Sequence, residues 1–194
     1  TKIINTAWER YLNYVETGEM DLEKIAICVQ YLANADNLYR IDNFNPHFRH
    51  NDYITNEILK MEKVTDYSLF GSPKMINLNP NFVLGEKIGG ADADLILDNR
   101  LIDIKTTSKI AAPLSYLRQL SGYAALQSLE GSYEGPDGIN KEPFERIGIF
   151  YPRFGLLADW SLDEIFNGRF EDYVKDFSAL VEEYGSKLKN ELKM

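Results

Sequence analysis

A chain of 194 residues with a net charge of −9 is long enough for one domain with a helical extension, and too acidic to carry a broad basic footprint for duplex nucleic acid. An apolar fraction of 44% with 12% aromatic residues supplies a substantial core. The lone cysteine, Cys28, rules out an internal disulfide framework and fits a reducing compartment, so a cytoplasmic location is expected; no apolar run reaches membrane-span length, so no membrane partner is expected.

Residues 1–45 read as an N-terminal helical extension. Trp8, Tyr11, Leu12 and Val15 recur at helical spacing and Gly18 interrupts them. Asp21 is suited to cap a second helix carrying Leu22, Ile25, Ala26, Val29 and Leu32. Residues 46–194 read as an α/β core with a C-terminal helix, expected to pack with the extension as one unit. Asn51 or Asp52 starts a third helix bearing Tyr53, Ile54, Glu57, Ile58 and Met61. A first strand is expected near Phe82–Glu86, after the punctuation of Asn79-Pro80-Asn81. Leu95–Leu97 and Leu101–Lys105 form a hairpin around Asp98-Asn99-Arg100. Pro113 opens a helix whose Leu114, Leu117, Leu120, Ala124 and Leu126 mostly face a core. Glu130–Lys141, rich in Gly, Pro, Asp and Asn, reads as a loop. Arg146–Tyr151 and Gly155–Trp160 read as two late strands, Ser161 to Glu164 as a capping box, and Tyr173, Phe177, Leu180, Val181, Tyr184 and Leu188 as the apolar stripe of a last helix.

The hairpin carries the chemistry. Side chains alternate along a strand, so Asp103 and Lys105 share a face while Ile104 takes the other. Asp94 stands immediately before the partner strand. Magnesium or manganese takes hard oxygen ligands. Asp94 and Asp103 supply carboxylates, and the Ile104 carbonyl a third oxygen. Lys105 is a point charge suited to orienting a water or stabilising a developing phosphate anion. An isolated D-x-K triplet is common in ordinary hairpins; the narrower signal is an Asp before one apolar strand, a short turn, and a second apolar strand ending Asp-Ile-Lys.

Asp94…Asp103-Ile104-Lys105 resembles the core of the PD-(D/E)XK nuclease superfamily. One helix later, Gln119 and Tyr123 are four residues apart and so on one helix face, which resembles the Q-x-x-x-Y motif of the RecB-like exonuclease branch. The resemblance spans about residues 50–160, an ordinary domain size. It implies a restriction-endonuclease-like core: an α/β fold in which a small central mixed sheet is flanked by helices. It also implies a metal-dependent deoxyribonuclease, exonuclease-like, leaving a 5′-phosphate and a 3′-hydroxyl, with Gln119 and Tyr123 lining the substrate channel. Relatives often carry an acidic residue or histidine on the helix before the sheet. Glu57 is the candidate here for a further catalytic and metal-binding carboxylate, with Glu62, His47 and His50 as weaker competitors, and Asp92 competes with Asp94. The acidic positions are closer together than is usual in the branch. Cys28 alone cannot hold the four-cysteine iron–sulfur cluster of some relatives. The alternative is a catalytically silent member of the same fold, serving as a nucleic-acid or protein-interaction module.

Residues 87–125 hold five basic and four acidic side chains, a net of +1 that leaves −10 for the rest. The site region is thus the least acidic part of an acidic chain. The expected partner is DNA, bound weakly by the chain alone and aided by a partner protein or fused domain.

Overall fold

The structure, a computed structural model, describes residues 2–19, 21–88, 90–130, 133–135, 138–140 and 143–191. Its packing divides the chain into two compact units, Thr1–Val64 and Thr65–Met194.

The first unit is helical: α1 (Lys2–Thr17), α2 (Leu22–Ile41) and α3 (Asp52–Val64), with α1 and α3 each packed on α2. Asp21 caps α2 by accepting from the Glu23 N–H at 3.0 Å. Of the two candidate caps for α3, Asn51 does the work, accepting from the Tyr53 N–H at 2.8 Å. The buried Gln30 amide is satisfied across the helix pair: its Nε2 donates to Thr55 Oγ1 and its Oε1 accepts from the Asn51 N–H, both at 2.9 Å. Cys28 is buried in this unit.

The second unit is built on a five-stranded mixed sheet. Its strands are β1 (Ile76–Leu78), β2 (Leu95–Leu97), β3 (Arg100–Ile104), β6 (Arg146–Tyr151) and β7 (Leu156–Ser161), in the order β1-β2-β3-β6-β7. Every neighbouring pair is antiparallel except β3 and β6, which run parallel. A parallel pair cannot be joined by a tight turn, and α4 (Leu114–Glu130) lies in the crossover between them. The capping box at Ser161 and Glu164 starts α5 (Leu162–Phe166), and α6 (Phe170–Glu191) follows.

Alternation along the strands sorts the sheet into two faces. Ile96, Leu101, Ile147, Ile149 and Tyr151 pack with Leu120 and Ala124 of α4 and Val181 of α6. Leu95, Leu97, Ile102 and Phe150 form the opposite face, closed by Phe70 and Leu157. The molecule is therefore an α/β protein with a five-stranded mixed sheet flanked by helices and an N-terminal helical part. No helix among the described residues is long and apolar enough to cross a membrane.

Three expectations need correction. The first strand is Ile76–Leu78, and Val83–Ile88 is a 3-10 turn. The Glu130 carboxylate accepts from the N–H groups of both Val83 and Leu84, which a strand would have needed for a neighbour. Residues 130–141 are not wholly a loop: Glu130 ends α4, and β4 (Tyr133–Gly135) pairs antiparallel with β5 (Gly138–Asn140), while residues 131, 132, 136, 137, 141 and 142 lie outside the described set. Leu114 does not face the core; it is exposed, standing in the first turn of α4 ahead of the stretch that crosses the sheet.

Candidate active site

The β2–β3 turn fixes the register that assembles the site. Asp98 adopts the left-handed conformation, with φ of 51°, and its Oδ1 accepts from the N–H groups of Lys74 and Met75 at 3.0 and 2.9 Å. That pins Leu95 opposite Ile102 and Ile96 opposite Leu101. A slip of one residue would turn every side chain over. In the observed register Asp103 lies beside Ile149 of β6 and continues the Leu101 face, so Asp103 and Lys105 point toward α4.

Asp94 reaches across to the end of β3, where its Oδ2 accepts from the Ile104 N–H at 2.7 Å. Asp103 is only 5% exposed. Its Oδ2 lies 2.8 Å from Lys105 Nζ, a buried ion pair. Burial holds the Asp103 carboxyl above its ordinary value of 3.8; Lys105 opposes this by hydrogen bonding and charge, and Asp94 adds to it by its own charge and hydrogen bonding. The two carboxyls are thus close neighbours in a poorly solvated place.

Lys105 is held from the helix side as well. Its Nζ donates to Gln119 Oε1 at 3.4 Å and sits 4.8 Å from the centre of the Tyr116 ring. Gln119 Nε2 donates to the Tyr123 hydroxyl at 2.9 Å, which turns the amide oxygen toward Lys105. The Tyr123 ring stacks on Phe82 with centroids 5.6 Å apart, so its body belongs to the core while its hydroxyl serves Gln119. Beyond Lys105, the connection to α4 is tied down at two points. The Tyr151 hydroxyl donates to the Ala111 carbonyl at 2.6 Å, and Arg153 Nε donates to the Thr106 carbonyl at 3.2 Å. Burial raises the Tyr151 phenol pKa, with Tyr116 and Asp103 adding to it and Lys105 opposing.

Of the residues singled out in the sequence, the structure gathers Asp94, Asp103, Ile104, Lys105, Gln119 and Tyr123 at one end of the β3–β6 pair. Asp92 is exposed, its backbone bridged to Asn81. Glu57 is on α3 in the first unit, 2.9 Å from Lys60 Nζ. His50, in the same unit, contacts Asp52 at 3.2 Å. Among the described residues no three His, Cys, Asp or Glu side chains cluster as a metal cage. Two carboxylates and a main-chain carbonyl do suit a hard divalent ion that keeps much of its water, and they do not suit zinc. The buried Asp103 carboxylate, balanced in this structure by the Lys105 ammonium, would be shared with such an ion. Sequence reasoning missed the contact between Tyr116 and Lys105. Tyr116 precedes Gln119 by three residues, a spacing that already put it on nearly the same helix face.

No protein-family model, curated protein or solved structure matches this chain. What the site can do is set by its own geometry.

Proposed function

We propose that this protein is a Mg²⁺- or Mn²⁺-dependent deoxyribonuclease of the PD-(D/E)XK type, with a restriction-endonuclease-like core and a RecB-like Gln–Tyr helix, hydrolysing DNA phosphodiester bonds in an exonuclease-like manner in a reducing compartment such as the cytoplasm. One observation carries the proposal: Asp94, buried Asp103 and Lys105 converge at the end of β3. Asp94, Asp103 and the Ile104 carbonyl would hold the ion, which when bound supplies a water of lowered pKa and offsets phosphate charge. Lys105 presents its ammonium to the attacking water or to a non-bridging phosphate oxygen as negative charge develops there. Water adds to phosphorus, the bond to the 3′ oxygen breaks, and the departing oxygen takes a proton, leaving a 5′-phosphate and a 3′-hydroxyl. Gln119, oriented by Tyr123, steadies Lys105 and borders the substrate path.

The test is cleavage of single- and double-stranded linear DNA in the presence of Mg²⁺ or Mn²⁺. Cleavage by the wild type and its loss in Asp103→Asn is the expected result. A wild type that cleaves nothing, and whose melting temperature is unmoved by millimolar Mg²⁺ or Mn²⁺, sinks the proposal.

The net charge of −9 favours a second reading, a catalytically silent module of the same fold that binds a nucleic acid or a protein. It is the reading left standing if DNA is bound but never cut. Either way, DNA engagement by so acidic a chain calls for a partner protein or fused domain.

A further inference from the structure

Lys105 has more neighbours than an ion pair requires. Its ammonium has three N–H bonds, and three groups surround it: Asp103 Oδ2 at 2.8 Å, Gln119 Oε1 at 3.4 Å, and the face of Tyr116 with its ring centre at 4.8 Å. The first belongs to the same strand and the other two to α4. Asp103 is also the carboxylate best placed to be claimed by a metal ion, and one oxygen cannot serve two cations at full strength. The groups on α4 have no such competing duty. Tyr116 stands in the first turn of α4, half-buried against the core face, with Tyr151 beside it.

We propose that Tyr116 is a positioning residue for Lys105: the electron-rich face of its ring, together with Gln119, keeps the ammonium aimed at the reacting phosphate when the Asp103 carboxylate is otherwise engaged. The inference rests on the nuclease reading for its purpose, though not for its geometry. An ammonium within about 6 Å of a ring centroid is attracted by the ring quadrupole, the more so away from water, and the Lys105 side chain is only 21% exposed. The ring face carries the effect and the phenol oxygen does not. Tyr116→Phe should therefore preserve it, whereas Tyr116→Leu, similar in apolar character but lacking a ring, should lose it.

Two readouts test this separately. The first needs no catalysis. With the lysines labelled by ¹³C-methylation, the Lys105 signal, identified by its absence in Lys105→Ala, should be displaced upfield by the ring current. The displacement should persist in Tyr116→Phe and vanish in Tyr116→Leu. The second is steady-state DNA cleavage with Mn²⁺. Tyr116→Leu should lower kcat by about three- to thirty-fold at little changed KM, the range a cation–ring contact supports, while Tyr116→Phe stays near wild type. Should Tyr116→Leu fold poorly, a fluorinated phenylalanine in place of Tyr116 drains the ring face at nearly constant shape and should weaken kcat in the same direction. A Lys105 signal that is not displaced in the wild type, or kcat equal in wild type, Tyr116→Phe and Tyr116→Leu, overturns the proposal. A wild type that never cleaves, yet shows the displaced signal and its loss in Tyr116→Leu, supports the placement of Lys105 by Tyr116 and removes the nuclease reading instead.

Discussion

Lys105 and Asp103 make opposite demands on the fold. Lys105→Ala removes a half-buried cation whose surroundings are polar, so the protein should stay folded and retain its response to Mg²⁺ or Mn²⁺, while DNA cleavage falls by about 10²–10³, the usual cost of one electrostatic stabiliser. Equal cleavage rates in Lys105→Ala and wild type would mean that the Asp-Ile-Lys triplet is accidental. Asp103 bears on stability through pH. Its carboxyl is raised above 3.8, chiefly by burial. A raised acid favours the fold in its protonated form. The stability it contributes is complete below 3.8 and is lost as pH rises through the higher folded value. Above its folded value the ionised Asp103 therefore costs stability, and Asp103→Asn should melt above the wild type there. The advantage should shrink as pH falls toward 3.8, which paired thermal melts across that range would show.

Hairpin, helix caps and the last helix were legible because each is decided by neighbours in sequence. The turn at Asp98-Asn99 and the alternation of β2 and β3 were enough to place Asp103 and Lys105 on one face. What escaped was decided from far along the chain. β1 inverts the expected pattern: its inward residue is Asn77, 2% exposed, between Ile76 and Leu78, each more than half exposed. The segment after Phe82 has strand-like composition, but Glu130, 47 residues on from Val83, captures its N–H groups. Glu130→Ala should strand the part-buried Leu84 N–H, the Val83 N–H being open to solvent, and cost about 1–3 kcal/mol for the group left unsatisfied. Chemical denaturation would measure it. Because this turn carries Gly85 against Ala91, where an added Cβ would lie 2.6 Å from the Ala91 Cβ, Gly85→Ala should destabilise as well, by about 1–3 kcal/mol of overpacking. Contacts such as that of Tyr116 with Lys105 were out of reach for the same reason: periodicity gives the face of a helix, and only the packed structure gives what that face meets.

At the scale of the whole molecule, two units divide the labour unequally. The second unit holds the sheet, α4, and every contact made by Asp94, Asp103, Lys105, Gln119 and Tyr123 described above. It also has its own core, from Phe82 to Val181. The first unit holds Glu57 on α3, engaged with Lys60. If the metal-binding set is Asp94, Asp103 and the Ile104 carbonyl, a fragment comprising residues 65–194 should melt cooperatively and bind Mn²⁺ as tightly as the full chain, since a site built within one core does not need the other unit to assemble it. Calorimetric titration of both proteins measures this directly, with Glu57→Gln in the full chain as the companion variant. Equal affinities in all three proteins are the expected outcome. A fragment that folds but binds Mn²⁺ more weakly, with Glu57→Gln weakened to the same degree, would instead make Glu57 a member of the set. Because the variant leaves both units in place, it separates a missing ligand from a damaged fold.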